Sequence, residues 1–335
     1  MTDTTLRRWH ITDFGRQHLR FSEGAIPEPG PGQVLVRVEA VSLNYRDLML
    51  LDNDYGWTPP LPFTPASDMA GTVLAVGAGV TAWQGGERVI STFVGGWLDG
   101  AAPEHAIAMG GPGPGMLASH VVLDAQWVVA APRTLDAAQA ATLPCAALTA
   151  WFSLVETGAL QAGQTVLIHG TGGVALFGLQ FARLHGARAI VVSGSADKRQ
   201  QALALGAAHA LARDGDWPAE VRRLTDGRGA DHVLELVGGA NLGRSLEAVA
   251  QGGRVSVIGV LEGGAMSGSA FDAIRHRAVI QGISVGHARA LERMVRAVDL
   301  NRLEPVIAAA YGIEDVPAAF AHLAQGAFGK VVVRF

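Results

Sequence analysis

The segment His169-Gly170-Thr171-Gly172-Gly173-Val174-Ala175 constrains this chain more than any other. It follows an apolar run at residues 165–169 and opens a stretch of helical spacing at residues 174–185. Gly170, Gly172 and Ala175 match the Gly-x-Gly-x-x-Gly/Ala pattern, which carries meaning only between a strand and a helix. Gly170 permits a tight turn there. Gly172 lets the backbone approach a diphosphate with no Cβ in the way, and Ala175 is small enough for a helix to lie close on its strand. Thr171, Gly173 and Val174 complete the turn, where a helix N-terminus offers N–H groups and partial positive charge to phosphate oxygens. In a chain with 43 glycines a lone match would be weak, and a purely structural turn is the alternative. The strands and helices on either side favour the dinucleotide reading.

Those strands and helices alternate. After residues 165–169, apolar runs at 189–192, 208–211, 232–237, 254–259 and 279–285 read as strands. Residues 197–205, 218–225 and 242–250 have helical spacing between them. Such alternation predicts a doubly wound parallel sheet covered by helices, the Rossmann arrangement of an α/β fold. The first third of the chain has a different rhythm. Val34, Val36 and Val38 alternate with Leu35, Arg37 and Glu39 after the turn signal Pro29-Gly30-Pro31-Gly32. Further β-branched runs at 72–76, 88–92 and 120–123 are punctuated by glycine, which predicts a barrel-like β domain. Residues 93–115 are rich in Gly and Pro and read as a long loop. Residues 288–298 are helical in pattern and 330–335 strand-like. A length of 335 residues accommodates about two domains.

Composition removes several classes. Lys+Arg 26 against Asp+Glu 30 leaves a net charge of −4, which argues against nucleic acid or an anionic membrane as the main partner. Cys145 is the only cysteine, so no internal disulfide and no cysteine-rich zinc module can form. Residues 137–155 and 157–182 carry no Asp, Glu, Lys or Arg, but Pro144 in the first and Gly158, Gly163, Gly170, Gly172 and Gly173 in the second interrupt them, and they read as protein interior, not membrane spans. The first fifteen residues have two arginines with no apolar run behind them, unlike a secretory or twin-arginine signal. Cytoplasmic residence is the expectation. Ser195-Ala196-Asp197-Lys198 spells Ser-x-x-Lys without the companion motifs of penicillin-binding folds, and no close histidine pair has metal spacing.

About twenty residues beyond the first glycine of such a turn, an Asp or Glu usually holds the ribose hydroxyls of NAD. Here the position is Ser193, followed by Ser195, Lys198 and Arg199. Small hydroxyls and cations accept a 2′-phosphate that an acid would repel, so NADP(H) is expected over NAD(H). The alternative is a solvated helix start with Ser195 as its cap.

At this point the chain resembles the medium-chain dehydrogenase/reductase superfamily over essentially its whole length. The resemblance rests on Val41-Ser42-Leu43-Asn44-Tyr45-Arg46-Asp47, Asp68-Met69-Ala70-Gly71-Thr72-Val73, Val76-Gly77-Ala78-Gly79-Val80, Leu143-Pro144-Cys145-Ala146-Ala147-Leu148-Thr149-Ala150-Trp151 and Gly329-Lys330-Val331-Val332-Val333, together with residues 29–41. It implies a GroES-like substrate domain of residues 1–147 with 285–335, and a dinucleotide domain of residues 148–284. It points to the zinc-independent branch of quinone oxidoreductases and related alcohol dehydrogenases. Asn44 stands where zinc-dependent relatives carry a metal-binding cysteine, and Ser67 where they carry a histidine. Asp68 and Cys145 alone make a poor zinc site, so no metal is expected.

The resemblance further implies an interdomain pocket near Asn44, Tyr45, Asp47, Asp68, Cys145 and Thr149. Without a metal, a developing oxyanion needs hydrogen bonds. Asn44 and Tyr45 can donate them, or can simply stabilise their loop. Asp47 and Asp68 fit a buried structural network at least as well as catalysis, and Cys145 fits a packed small hydrophobe. By the same resemblance Thr149, Gly259, Val260 and Ser284 would line the nicotinamide, and Lys330 would sit by the cofactor or stay an exposed charge. His287 is a further candidate for the pocket, and Trp57 and Trp97 for an aromatic wall. The expected reaction is hydride transfer between NADP(H) and a quinone, activated enone or carbonyl. The alternatives are a zinc-free NAD(P)-dependent alcohol dehydrogenase and a non-catalytic dinucleotide-binding sensor or structural protein. Relatives pair across the sixth parallel strand, which implies a homodimer.

Overall fold

Thr165–His169 is apolar through its length because both faces of this strand are covered, as in a parallel sheet. The computed structural model describes residues 5–335. Residues 1–4, where the first expected domain and the leader reading begin, lie outside the described residues. The chain divides into Met1–Leu148 with Gly286–Phe335, and Thr149–Val285. Each junction falls one residue later than the sequence boundaries at 147 and 284.

In the second unit, six parallel strands among the described residues lie in the order His209–Ala212, Arg188–Ser193, Thr165–His169, Ala230–Glu235, Val249–Val257, Val279–Gly282. The order reverses beside Thr165–His169, and ligands bind outside the carboxyl ends of strands at such a reversal. Leu167, Ile190, Val192, Val233 and Val255 meet Trp217, Val221, Leu242 and Leu246 from the helices in one core. The helix Gly173–Leu184 sits close on the sheet at Gly178, where a Cβ would come within 2.4 Å of Leu234 Cδ1. The close approach that the motif led us to expect of Ala175 is thus tightest one turn later. The last strand ends at Gly282 and not at 285. Val285 takes a positive φ of 62°, which no extended strand accommodates. The helix Ala270–His276 before that strand was not anticipated.

The first unit is built around Gln33–Leu43. Its first half pairs with His120–Asp124, its last residues with Lys330–Arg334, and its stretch from Val34 to Ser42 with Asp68–Val76. Arg88–Ser91, Val128–Ala130 and Ile307–Gly312 extend the sheet. Alternating Val34, Val36 and Val38 turn inward with Val73, Val331, Val333 and Phe320. Within residues 93–115 only a two-residue pair, Val94–Gly95 with Ile107–Ala108, is strand. The helical run Ala137–Glu156 is long and apolar enough to cross a membrane, but 78% of its apolar window is buried inside the protein. Two π-helical turns, Leu143–Ala147 and Phe152–Glu156, flank its α-helical centre.

His232, on a central parallel strand, illustrates how burial sets a pH limit. Its Nε2 lies 3.1 Å from Gln164 Oε1, and its Nδ1 has no partner among the described residues. Burial lowers its pKa below 6.5, against the opposing pull of Asp231 and with the help of Arg254. A folded-state pKa below the unfolded one means that its contribution to stability is complete above pH about 6.5 and declines as the pH falls. We expect the wild-type melting temperature to drop more steeply than that of His232→Gln between pH 6.5 and 5. Parallel thermal melts check this, and equal slopes would contradict it.

Candidate active site

The carboxyl ends of the central parallel strands gather the residues singled out for a dinucleotide. Gly170 has φ +82°, which favours glycine, and its N–H donates to Val192 O of the adjacent strand at 2.7 Å. Gly172 precedes the helix Gly173–Leu184, and no side chain caps that helix. A Cβ added at Gly170 or Gly172 would meet nothing within 4 Å, so the space over the turn is open. Thr171 is buried while Gly173 and Val174 are half-buried. An uncapped helix start beneath open space is a cradle for phosphate oxygens, and a dinucleotide fits it. Gly259 lies across the sheet end, where a Cβ would fall 2.0 Å from Leu236 O, and Val260 beside it is exposed.

At the end of Arg188–Ser193, Ser193 is buried and its carbonyl accepts from Arg199 Nη1 at 2.8 Å. Ser195 Oγ accepts the Lys198 N–H at 3.3 Å, so Ser195 caps the helix Ala196–Ala204. That is also the physical explanation of the Ser-x-x-Lys spelling. One basic group escaped the sequence reading. Arg213 stands beside Gly194, whose absent Cβ would lie 3.6 Å from Arg213 Nε. Its link to Ser193 is topological, since adjacent strands end together, and no linear pattern announces it.

In the first unit a second set converges. Asn44 precedes the helix Tyr45–Leu51 and donates its N–H to Asp47 Oδ2 at 2.8 Å, while the Asp47 N–H donates to Asn44 O at 2.9 Å. The Asp47 carboxylate reaching back to the Asn44 N–H is the acidic half of a capping box, while the second bond joins backbone groups. Lys330 is only 4% exposed, and its Nζ donates to Leu43 O at 2.8 Å and to Asn44 Oδ1 at 2.6 Å. Asn44 Nδ2 donates to Ser67 Oγ at 3.4 Å, and Ser67 donates to Asp68 Oδ1 at 2.6 Å. The Cys145 N–H donates to Asp68 Oδ2 at 3.1 Å. A polarised chain thus runs from an ammonium through an amide and a hydroxyl to a carboxylate. Burial raises Asp47 to about 6, against the Arg46 cation 3.6 Å away. Burial also raises Asp68, against the opposing Lys330 charge, and pushes the Cys145 thiol up.

The remaining candidates separate. Tyr45 follows Asn44 but is 48% exposed and lies outside the buried chain of bonds. Thr149 is buried in the second unit and its carbonyl accepts from Ser153 Oγ. Ser284 is exposed beyond the end of the last parallel strand. His287 Nδ1 accepts the Ala290 N–H at 2.9 Å, so it caps the helix Ala288–Asn301, with Trp97 edge-on to its ring. Trp57 is exposed.

Comparison with known proteins agrees with both halves of this geometry. Residues 30–133 match the alcohol dehydrogenase GroES-like domain, and residues 173–300 the zinc-binding dehydrogenase domain. A zinc-type alcohol dehydrogenase-like protein of Schizosaccharomyces pombe is 34% identical over 332 residues, covering 96% of both chains. Human quinone oxidoreductase is 29% identical, covering 93% of this chain and 92% of its own. A candidate alcohol dehydrogenase from Sinorhizobium meliloti 1021 has a solved structure that superposes with a TM-score of 0.96, at 52% identity and full coverage of both chains. The second matching domain is named for zinc, and the donor set here does not fit that ion. Among the described residues no three His, Cys, Asp or Glu side chains group for a metal. Asp68 has both oxygens engaged, and an ammonium lies in the same cluster, where it would repel a second cation. An uncapped helix over a Gly-x-Gly turn on a reversing parallel sheet, joined to a β unit that closes with its own C-terminal strand, makes this chain a member of the medium-chain dehydrogenase/reductase superfamily and an oxidoreductase.

Proposed function

We propose that the chain is a zinc-independent, NADP(H)-dependent oxidoreductase that moves hydride between nicotinamide and a quinone, an activated enone or a carbonyl. The observation that carries this reading is the uncapped helix start under open space at Gly170–Gly172, with uncharged Ser193 beside it. Three cationic residues, Lys198, Arg199 and Arg213, cluster in sequence or space around Ser193, and no acid replaces it. When bound, the cofactor supplies the hydride.

The chain's own residues would do the rest. Gly170 to Val174 would hold the diphosphate on backbone N–H groups. Thr149, Gly259, Val260 and Ser284 would flank the nicotinamide. Tyr45, exposed at the head of its helix, would donate a hydrogen bond to the substrate oxygen. Asn44 would act beside it, its amide oriented by Lys330. A lysine has only donors, so the amide must present Oδ1 to Nζ and its NH2 on the other side. Asp47 would act through the loop, since one carboxylate oxygen is spent on the Asn44 N–H. Lys330, which is buried and so not the exposed charge of the alternative reading, would serve as an internal cation.

A second reading, a zinc-free NAD(P)-dependent alcohol dehydrogenase, draws on the alcohol dehydrogenase-like relatives. Steady-state rates on a panel of quinones, enones and alcohols, each with NADPH or NADP and with the NAD pair, separate the two. Faster turnover of simple alcohols than of every acceptor would favour the second. We also read the protein as a cytoplasmic homodimer with no nucleic-acid or membrane partner. Support for the dimer comes from the edge strand Val279–Gly282, whose Ile280 is 44% exposed, and from Phe271 and Ile274 on the preceding helix, 80% and 73% exposed. An unpaired apolar edge invites a second copy.

Three outcomes are expected. Arg213→Gln raises the NADPH dissociation constant about tenfold, the scale of one charge-assisted hydrogen bond, and leaves NADH binding within about twofold. Fluorescence titration with both cofactors reads this, and an equal effect on the two would remove Arg213 from 2′-phosphate recognition. Lys330→Met destabilises the fold by about 3 kcal/mol, because it strips the counter-charge from buried carboxylates. It leaves NADPH affinity within about twofold, whereas a cofactor-contacting lysine would show the reverse pattern. Ile280→Lys converts the dimer to a monomer by light scattering, and a wild-type protein of monomer mass would end the dimer reading.

A further inference from the structure

Glu235 ends a central parallel strand and is completely buried, yet no function is attached to it. Its Oε1 accepts the N–H groups of Val237 at 2.9 Å and Gly238 at 3.2 Å, and Asn241 Nδ2 at 3.1 Å. Its Oε2 accepts Asn241 Nδ2 at 2.8 Å and the Ser245 hydroxyl at 2.5 Å. The single Ser245 proton is therefore spent on the carboxylate, and Ser245 Oγ accepts from His169 Nε2 at 3.1 Å. Burial lowers the His169 pKa, which favours the neutral ring that makes one such donation. His169 immediately precedes Gly170. The Glu235 backbone carbonyl, meanwhile, accepts the N–H groups of Ile258 at 2.9 Å and Gly259 at 3.1 Å.

One residue thus grips three segments that lie far apart in sequence. They are the 169–175 turn through Ser245 and His169, the 237–239 loop through its carboxylate, and the 258–260 loop through its carbonyl. These segments border the crevice at the sheet's carboxyl end. A carboxylate offers about four acceptor directions and no donor, so it can satisfy this ring of donors where an amide cannot. A glutamine would turn an NH2 toward one of them and leave it unpaired in the interior.

We infer that Glu235 is a positioning residue for dinucleotide binding. It sets the relative placement of the diphosphate turn and the nicotinamide-side loops without touching the cofactor. Ser245 relays that constraint to the diphosphate turn alone. The affinity part of this inference rests on the function proposed above, whereas the placement part does not.

The test uses the full-length protein as wild type, Glu235→Gln and Ser245→Ala. Hydrogen exchange of the cofactor-free proteins is followed by mass spectrometry, and NADPH affinity by fluorescence. Ser245→Ala is expected to speed exchange at residues 169–175 and leave 237–239 unchanged. Glu235→Gln is expected to speed exchange at 169–175 and 237–239, while 258–260, held by the backbone carbonyl, and the helix Trp217–Leu224 stay protected. Both variants should raise the NADPH dissociation constant about tenfold. The inference is overturned if Ser245→Ala leaves 169–175 unchanged, or if Glu235→Gln loosens the whole unit evenly. It is also overturned if exchange changes as expected while NADPH affinity does not move. A wild type that binds neither nicotinamide cofactor defeats the proposed function instead, and the exchange pattern still decides whether Glu235 places the loops.

Discussion

The first unit depends on one buried ammonium. Lys330 comes from the C-terminal return strand and bonds to Asn44, 286 residues earlier in the chain. A charge taken out of water is tolerated only with close partners. Here the carbonyl of Leu43 and the amide of Asn44 serve directly, and Asp68 and Asp47 serve at longer range. The same bonds tie the return strand to Gln33–Leu43, so closing the β unit and organising its polar cluster are a single event. A second cation there would face the ammonium's repulsion. The chemistry of the donors, not their number alone, is what turns this cluster away from zinc.

The second unit meets the opposite electrostatic problem. Its parallel strands all direct their carboxyl ends to one edge, and the helix starts there carry partial positive charge. Leaving Gly173–Leu184 without a cap keeps its first N–H groups for an anion, at some cost to the empty protein. Burying Glu235 close behind supplies a negative charge that gathers N–H and O–H donors from the neighbouring loops. The crevice is therefore shaped from below by an anion and readied above for another. The two are kept apart by His169, whose pKa burial lowers and whose ring stands between carboxylate and turn.

Much of this was legible in the residues. Continuous apolar runs announced the parallel strands because both faces are covered. The Gly170 turn was readable because a positive φ and an open approach each demand glycine. What escaped was long-range or irregular. The helix Ala270–His276 shows no buried side chain, so no apolar stripe marked it. The π-helical turns around Leu148–Trp151 break the 3.6-residue period that reveals a helix. Lys330 looked like a lysine before an edge strand. Only the antiparallel pairing of Val331 with Leu43 brings it to Asn44. Asp47 drew attention as a candidate acid, and its neighbours show why spacing misleads. The residue three positions into a helix reaches back to the cap, so an acid there serves the backbone first.

The proposed preference for NADP(H) draws on the same geometry of strand ends. In a parallel sheet, neighbouring strands finish side by side, so Ser193 and Arg213 meet although a helix and a strand separate them in sequence. An acid at position 193 would bring a negative charge to a strand end whose Ser193 carbonyl Arg199 bonds and whose Gly194 adjoins Arg213. It would neutralise that cluster internally and leave little for a ligand. A serine adds no negative charge of its own at that strand end. Such a cluster gains most from a ligand that brings its own negative charge, and a 2′-phosphate brings about two at neutral pH.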